Sequence, residues 1–179
     1  MVRKARTPVL APLPRKGHSI SPFRKGDESK WAEIVTSVGE FENEPAALAH
    51  FRKKYMPHLP ELRRRLLFMQ TSRGEKAGTF TAWWDFIGDR RIVSLHWLAV
   101  RPEYQGLGIG KALVFKCLQR AMQIDGDQDV YLHTQTWSHR AIGIYLQAGF
   151  EFMKEGSLRG YRNDNRKAIP ILKDKLKTP

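Results

Sequence analysis

The stretch Leu98-Ala99-Val100-Arg101-Pro102-Glu103-Tyr104-Gln105-Gly106-Leu107-Gly108-Ile109-Gly110-Lys111 runs from a buried strand through a glycine-rich turn into a long helix. Backbone N–H groups at a helix start have no intrahelical partners. Glycines let an anion approach them closely, and the helix dipole adds about 0.3–1 kcal/mol in favour of negative charge. Lys111 can add a full charge. Three glycines at alternate positions also suit a plain flexible turn, so the neighbouring sequence has to decide between the two readings. A Walker loop does not fit, because Ala112 follows Gly110-Lys111 where a hydroxyl is needed. A dinucleotide fingerprint does not fit either: Gly110 comes too soon after Gly108 for G-x-G-x-x-G, and the segment lies mid-chain after other strands.

Downstream, Ile109, Leu113, Cys117 and Ala121, with Val114, Leu118 and Met122 beside them, form two i, i+4 rows, predicting an amphipathic helix from Gly108 to about Gln123. Val130 to Gln135 then reads as a strand, Ser138 to Gln147 as a helix ended by Gly149, and Phe150 to Lys154 and Ala168 to Leu172 as strands. Upstream, Leu66–Gln70, Gly78–Trp84 and Arg91–Val100 are apolar runs separated by polar turns, and predict an antiparallel meander. His18 to Arg24 reads as a first strand, followed by a helix over about 28–38 that buries Trp31, Ile34, Val35 and Val38. A second helix is expected from Pro45 to about Tyr55, capped by Asn43. Residues 1–17 hold Pro8, Pro12 and Pro14 among basic residues and are expected to be a flexible arm ahead of one domain over 18–179.

Composition narrows the function classes. The 179 residues are 41% hydrophobic and 27% charged, enough for one well-cored domain. No run approaches the roughly 20 apolar residues of a membrane span, and the N-terminus lacks a signal-like apolar core, so no membrane partner and a cytoplasmic location are expected. The one cysteine, Cys117, lies on the apolar stripe of the long helix and reads as core. No spacing suits a metal, and G-x-S-x-G and H-E-x-x-H are absent. The net charge of +13 sits at the ends, +7 over residues 1–26 and +5 over 159–179, leaving +1 for residues 27–158. Basic ends can bind nucleic acid, but solvated tails that keep a protein soluble are the commoner case, as a solvated face or strand lead-in is for Arg63-Arg64-Arg65, so a nucleic-acid partner is not favoured.

Two motifs in order carry a family resemblance. Gln105-Gly106-Leu107-Gly108-Ile109-Gly110 resembles the Q/R-x-x-G-x-G/A pyrophosphate loop of the GNAT superfamily of acetyl-coenzyme A-dependent N-acetyltransferases, preceded by a similar strand, Leu98-Ala99-Val100-Arg101-Pro102. Ala141-Ile142-Gly143-Ile144-Tyr145-Leu146-Gln147-Ala148-Gly149-Phe150 is similar to its A-x-x-x-Y-x-x-x-G-F helix and exit strand. The resemblance implies an α/β GNAT fold, a mixed sheet of six to seven strands flanked by about four helices. It also implies acetyl-CoA as co-substrate, with the backbone of Leu98, Ala99 and Val100 on the pantetheine arm and amides from Gly106 through Leu107, Gly108, Ile109 and Gly110 to Lys111 on the pyrophosphate. Ser138 stands where many relatives have asparagine, which puts that cofactor contact in doubt.

The expected reaction is acetyl transfer to a primary amine, on a small molecule or a peptide, by direct attack in a ternary complex without a metal. An amine of pKa about 10.4 is almost wholly protonated at pH 7, so a base is useful. His96, placed by strand alternation on one face with Ser94 and Leu98, is the candidate base, with a water relay as the other reading. Some arylalkylamine acetyltransferases resemble Leu95-His96-Trp97-Leu98-Ala99-Val100 at this strand, and other relatives carry glutamate where this chain has Ser94. Tyr145 is the family-matched acid for the departing thiolate, and also a cofactor contact. Glu40, Glu42 and Glu44 could draw a cationic acceptor, although Glu44 also suits a helix N-terminus. The competing functions are a non-catalytic CoA-binding module and a nucleic-acid-associated protein; a homodimer is compatible with the acetyl-transfer reading.

Overall fold

The computed structural model describes residues 1–9 and 16–176. Six strands form one sheet in the order β1-β6-β5-β4-β3-β2. They are β1 (Val2–Arg3), β2 (His18–Pro22), β3 (Leu66–Thr71), β4 (Lys76–Ile87), β5 (Arg90–Val100) and β6 (Val130–Leu132). All neighbours pair antiparallel except β5 and β6, which are parallel. A parallel pair needs a crossover, and α4 (Ile109–Asp125) supplies it. The other helices are α1 (Glu28–Ser37), α2 (Glu44–Lys54), α3 (Leu59–Arg65), α5 (His139–Gln147) and α6 (Asn165–Leu176).

Strand alternation divides the core into two layers. On β3, Leu67 and Met69 join Phe80, Ala82, Val93 and Leu95 beneath α4 and α5. Leu66 and Phe68 point the other way, to Trp31, Phe51, Tyr55, Leu62 and Trp83 under α1 to α3. Asn43 caps α2 as its sequence implies, its side-chain oxygen accepting from the Ala46 amide at 2.9 Å. Gly78 on β4 lies so near β5 that an added Cβ would stand 2.8 Å from the Ala99 carbonyl oxygen. Only glycine permits that approach.

Four sequence expectations change. Met1 to Arg3 belong to the sheet instead of a free arm: the Met1 nitrogen donates to Leu132 O at 2.7 Å, and buried Arg3 donates through Nε to Ala148 O at 2.9 Å. Residues 10–15 of the expected arm lie outside the described residues. Residues 150–154 make only one bridge, Glu151 to Val2, because β1 takes the place beside β6. The strand expected at Ala168–Leu172 is helix α6 despite Pro170. Ala168 and Leu172, four residues apart, both face the core under α5, a helical spacing that outweighs one missing N–H. Arg63–Arg65, expected as a solvated face or strand lead-in, end the unanticipated helix α3, so six helices flank the sheet where about four were expected.

Arg65 explains that last difference. Its side chain is 3% exposed, its two terminal nitrogens reach the Asp125 carboxylate at 2.7 Å each, and Nε reaches Glu61 at 2.6 Å. The fork ties α3 to the end of α4, and breaking a buried pair strands an unpaired charge. Asp125→Ala should therefore cost about 3 kcal/mol in urea denaturation, near the low end for buried pairs because Glu61 remains. A loss under about 0.5 kcal/mol would show a solvated contact instead.

Candidate functional site

The geometry of the site follows from an irregularity in β5. Thr79 pairs with Ala99, but Thr81 pairs with His96, so Trp97 and Leu98 together oppose Phe80. This β-bulge reverses the alternation beyond it. Val93 and Leu95 face α4, and so do Leu98 and Val100, whereas Trp97 and Ala99 face α1 and α2. Leu98 is thus not on the face of His96, as simple alternation predicts. Trp97 has φ +59°, a conformation that bulky residues rarely adopt.

β6 pairs with β5 only from Val93 to Leu95. Beyond Leu95, the β5 edge toward β6 is therefore open, and a cavity of about 700 Å³ occupies the widening gap. Its walls include Leu98, Ala99, Val100, Gln105, Gly106, Gly108, Ile109, Gly110, Lys111 and Ser138. Leu107, between two lining glycines, packs against the core instead. Gly108 has φ +76° as the residue before α4, and a Cβ there would meet nothing within 4 Å. Ala112 N–H makes the first helical bond, to Gly108 O at 3.0 Å, which leaves the amides of Ile109, Gly110 and Lys111 without intrahelical partners. Gln105 joins the two sides of the cleft: Nε2 donates to Val100 O at 3.0 Å, and Oε1 accepts from Arg140 at 3.4 Å. Ser138 precedes α5 but makes no side-chain capping bond.

A second cavity of about 250 Å³ adjoins the first, sharing Glu40, Leu98, Ser138 and Ala141 with it. His96 and Tyr145 both line this second space, so the bulged strand and α5 bring the two expected reactive side chains to one pocket. Tyr145 is buried between Phe80 and Phe150, and burial raises its phenol well above 10. His96 Nδ1 lies 3.2 Å from the hydroxyl of fully buried Tyr55, and Nε2 lies 3.5 Å from Asp85 Oδ2. Burial lowers the His96 pKa more than the Asp85 carboxylate raises it. Asp85 is itself held below the usual range, its desolvation outweighed by His96 and the Phe86 amide. Glu40 lines both cavities and is raised by desolvation, while Glu42 and Glu44 are exposed and line neither.

Tyr55, Asp85, His50 and Lys54 were not singled out from sequence. The available signal was Asp85 in Ala82-Trp83-Trp84-Asp85-Phe86-Ile87, a carboxylate inside an aromatic strand. Cys117 is buried with its thiol pushed up, as a core residue should be. No group of three metal-binding side chains occurs among the described residues, and no described helix is long and apolar enough to cross a membrane.

Residues 15–150 match the model of the acetyltransferase (GNAT) family. Among solved structures, the chain is similar to a GCN5-related N-acetyltransferase from Sphaerobacter thermophilus at 18% identity and TM-score 0.56, covering 78% of this chain and 45% of that one. It is also similar to a chain of the NatC complex bound to Gag peptide and CoA, at 22% identity and TM-score 0.60, covering 76% of this chain and 86% of that one. Similarity to yncA of Salmonella typhimurium, solved with its cofactor acetyl-CoA, is 20% with TM-score 0.58, covering 82% and 88%. At these identities the structures establish the fold. No curated protein sequence matches.

The local electrostatics has a direct test. Followed through its ring protons, His96 should titrate below 6.5 and be neutral at pH 7. Titration at or above 6.5 would mean that Asp85 outweighs burial.

Proposed function

The chain belongs to the GNAT acetyltransferase family, and on that premise we propose that it transfers the acetyl group of acetyl-CoA to a primary amine in a ternary complex, within one domain whose sheet includes β1. The observation that carries this reading is the junction of the two cavities at Leu98, Ser138 and Ala141, with His96 and Tyr145 in the smaller one. The larger cavity suits a thioester with an extended polar arm and a phosphorylated end. The open edge of Leu98–Val100 offers strand-like hydrogen bonds, and the free amides of Ile109–Lys111 face negative charge. Acetyl-CoA supplies the activated acetyl group.

His96 is the proposed base. Neutral at pH 7, it accepts a proton from the acceptor ammonium, and the amine then has a lone pair for the thioester carbonyl. Tyr145 is the proposed acid. Burial keeps the phenol protonated; its hydroxyl protonates the sulfur as the C–S bond breaks, and the second proton that the attacking nitrogen loses on becoming an amide restores the phenol. Small-molecule amines fit the 250 Å³ pocket, and the likeness to the peptide-bound NatC chain brings peptide amines into the same class. A cytoplasmic site of action accords with the single buried thiol. The alternative of a CoA-binding module without catalysis leaves the shared pocket of His96 and Tyr145 without a role.

Cofactor binding and chemistry can be tested separately. Gly108→Asp places a carboxylate at the free amides, so its CoA affinity by calorimetry should fall at least about tenfold. Gly108→Asn, similar in shape and tolerant of positive φ, should retain most of it. Wild-type CoA affinity in a folded Gly108→Asp variant would move the pyrophosphate elsewhere.

For the chemical step, Tyr145→Phe should lower turnover by about 10- to 1,000-fold with little change in CoA affinity. Because an effective base must be deprotonated, wild-type kcat/KM should rise along an acid limb below pH 6.5, and His96→Gln should abolish that limb. Thiol release from acetyl-CoA across a panel of amines and peptide N-termini reads both effects. Wild-type turnover in Tyr145→Phe refutes the acid, and a retained limb in His96→Gln refutes the base.

A further inference from the structure

The smaller cavity contains a gap that its own side chains do not close. His96 Nε2 is buried and has no hydrogen-bond partner, although Asp85 Oδ2 is 3.5 Å away. That separation is too long for a good N–H···O bond. It also leaves two acceptor-capable groups aimed at one place. On the far side of the ring, Tyr55 approaches Nδ1, and a phenol serves either ring tautomer because it can donate or accept. The resting imidazole can therefore carry its proton on Nδ1 and present a lone pair from Nε2.

We infer that Asp85 is an acceptor-binding residue, and that the ammonium of a cationic primary amine bridges its Oδ2 and His96 Nε2 in the smaller cavity that both side chains line. This rests on the acetyl-transfer reading and deepens it by naming the group that receives the acceptor. An ammonium has three donors and no acceptor, so it satisfies both atoms at once. When the base acts, one N–H bond of the ammonium breaks and an Nε2–H bond forms. The neutral amine is left with its lone pair, and the new imidazolium faces the Asp85 carboxylate. The same carboxylate thus holds the cation first on the substrate and then on the enzyme.

Of the other titratable groups around the gap, Lys54 on α2 works against a bound cation, and His50 on the same helix is kept toward its neutral form by burial. Glu40 approaches from the segment after α1, its carboxyl raised by desolvation, and His133 and Tyr161 stack with ring centroids 3.8 Å apart at the opposite wall. Tyr55 is fully buried and stays a phenol. Among these groups Asp85 is the carboxylate set against the proposed base.

The test uses the full chain, with n-propylammonium as the probe and n-propanol as its uncharged counterpart, read through the ¹⁵N ring resonances of His96. Propylammonium should shift the Nε2 resonance of the wild type at pH 7, and propanol should not. In Asp85→Asn the apparent affinity should fall at least tenfold, with partial recovery in Asp85→Glu and CoA affinity within twofold of wild type. The acid limb of kcat/KM should move to lower pH in Asp85→Asn, since the imidazolium loses its counter-charge. A merely structural role for Asp85 would not move that limb. Equal responses to the two probes, no response to propylammonium, or an undiminished response in Asp85→Asn would overturn the assignment. In the wild type alone, an equal response to the two probes or none to propylammonium overturns the assignment even if the variants do not fold. Absence of thiol release with every amine would instead overturn the acetyl-transfer reading, since the binding measurement does not depend on catalysis.

Discussion

One additional residue in β5 organises the site. An uninterrupted strand would alternate strictly, sending Trp97 and Leu95 to one face and His96 and Leu98 to the other. Opposing Trp97 and Leu98 to Phe80 alone turns Leu98 and Val100 toward α4 while Trp97 and His96 look toward α1 and α2. The strand therefore contributes to both cavities within three residues. The positive φ of Trp97 has an energetic cost of about 1–3 kcal/mol. The tight ring of Trp31, Phe41 and His50 around its indole over-determines that conformation.

The open edge depends on the same region. β6 is three residues long and leaves β5 at Leu95, so backbone groups beyond that point have no strand beside them. A strand edge without a partner strand needs other hydrogen-bonding groups, from side chains, solvent or a ligand. Gln105 meets one such group, Val100 O, through its side-chain amide. The remaining edge borders the cavity that also receives the start of α4, which gives one side of the molecule both strand-like hydrogen-bonding groups and free helical amides.

Charge inside the fold serves two separate ends. Arg3 and Arg65 fix elements together, Arg3 through the Ala148 and Thr7 carbonyls and Arg65 through Asp125 and Glu61. In the smaller cavity, by contrast, His96 and Asp85 approach without meeting, and neither is locked into a complete hydrogen-bond set. The Arg65 guanidinium, bonded through all three nitrogens, holds the structure in place, whereas an unsaturated pair in a cavity is available for chemistry.

Features that depend on local spacing are legible in the chain alone. The two i, i+4 rows of residues 109–122 specified α4, the Asn43-Glu44-Pro45 start specified α2, and the glycine turn after Val100 specified free amides at a helix N-terminus. The placement of Tyr145 on the helix before Gly149 was equally legible. Tertiary structure decided what depends on register and on contacts far apart in the chain. The bulge exists only relative to β4, so no property of residues 90–100 alone could show that Leu98 changes face. Met1–Arg3 became a strand because β6 had a free edge, and Arg65 became buried because Asp125, sixty residues later, ends α4 beside it. Asp85 and His96, eleven residues apart on antiparallel neighbours, face one gap for the same reason: pairing geometry, which the sequence does not carry locally, sets which side chains meet.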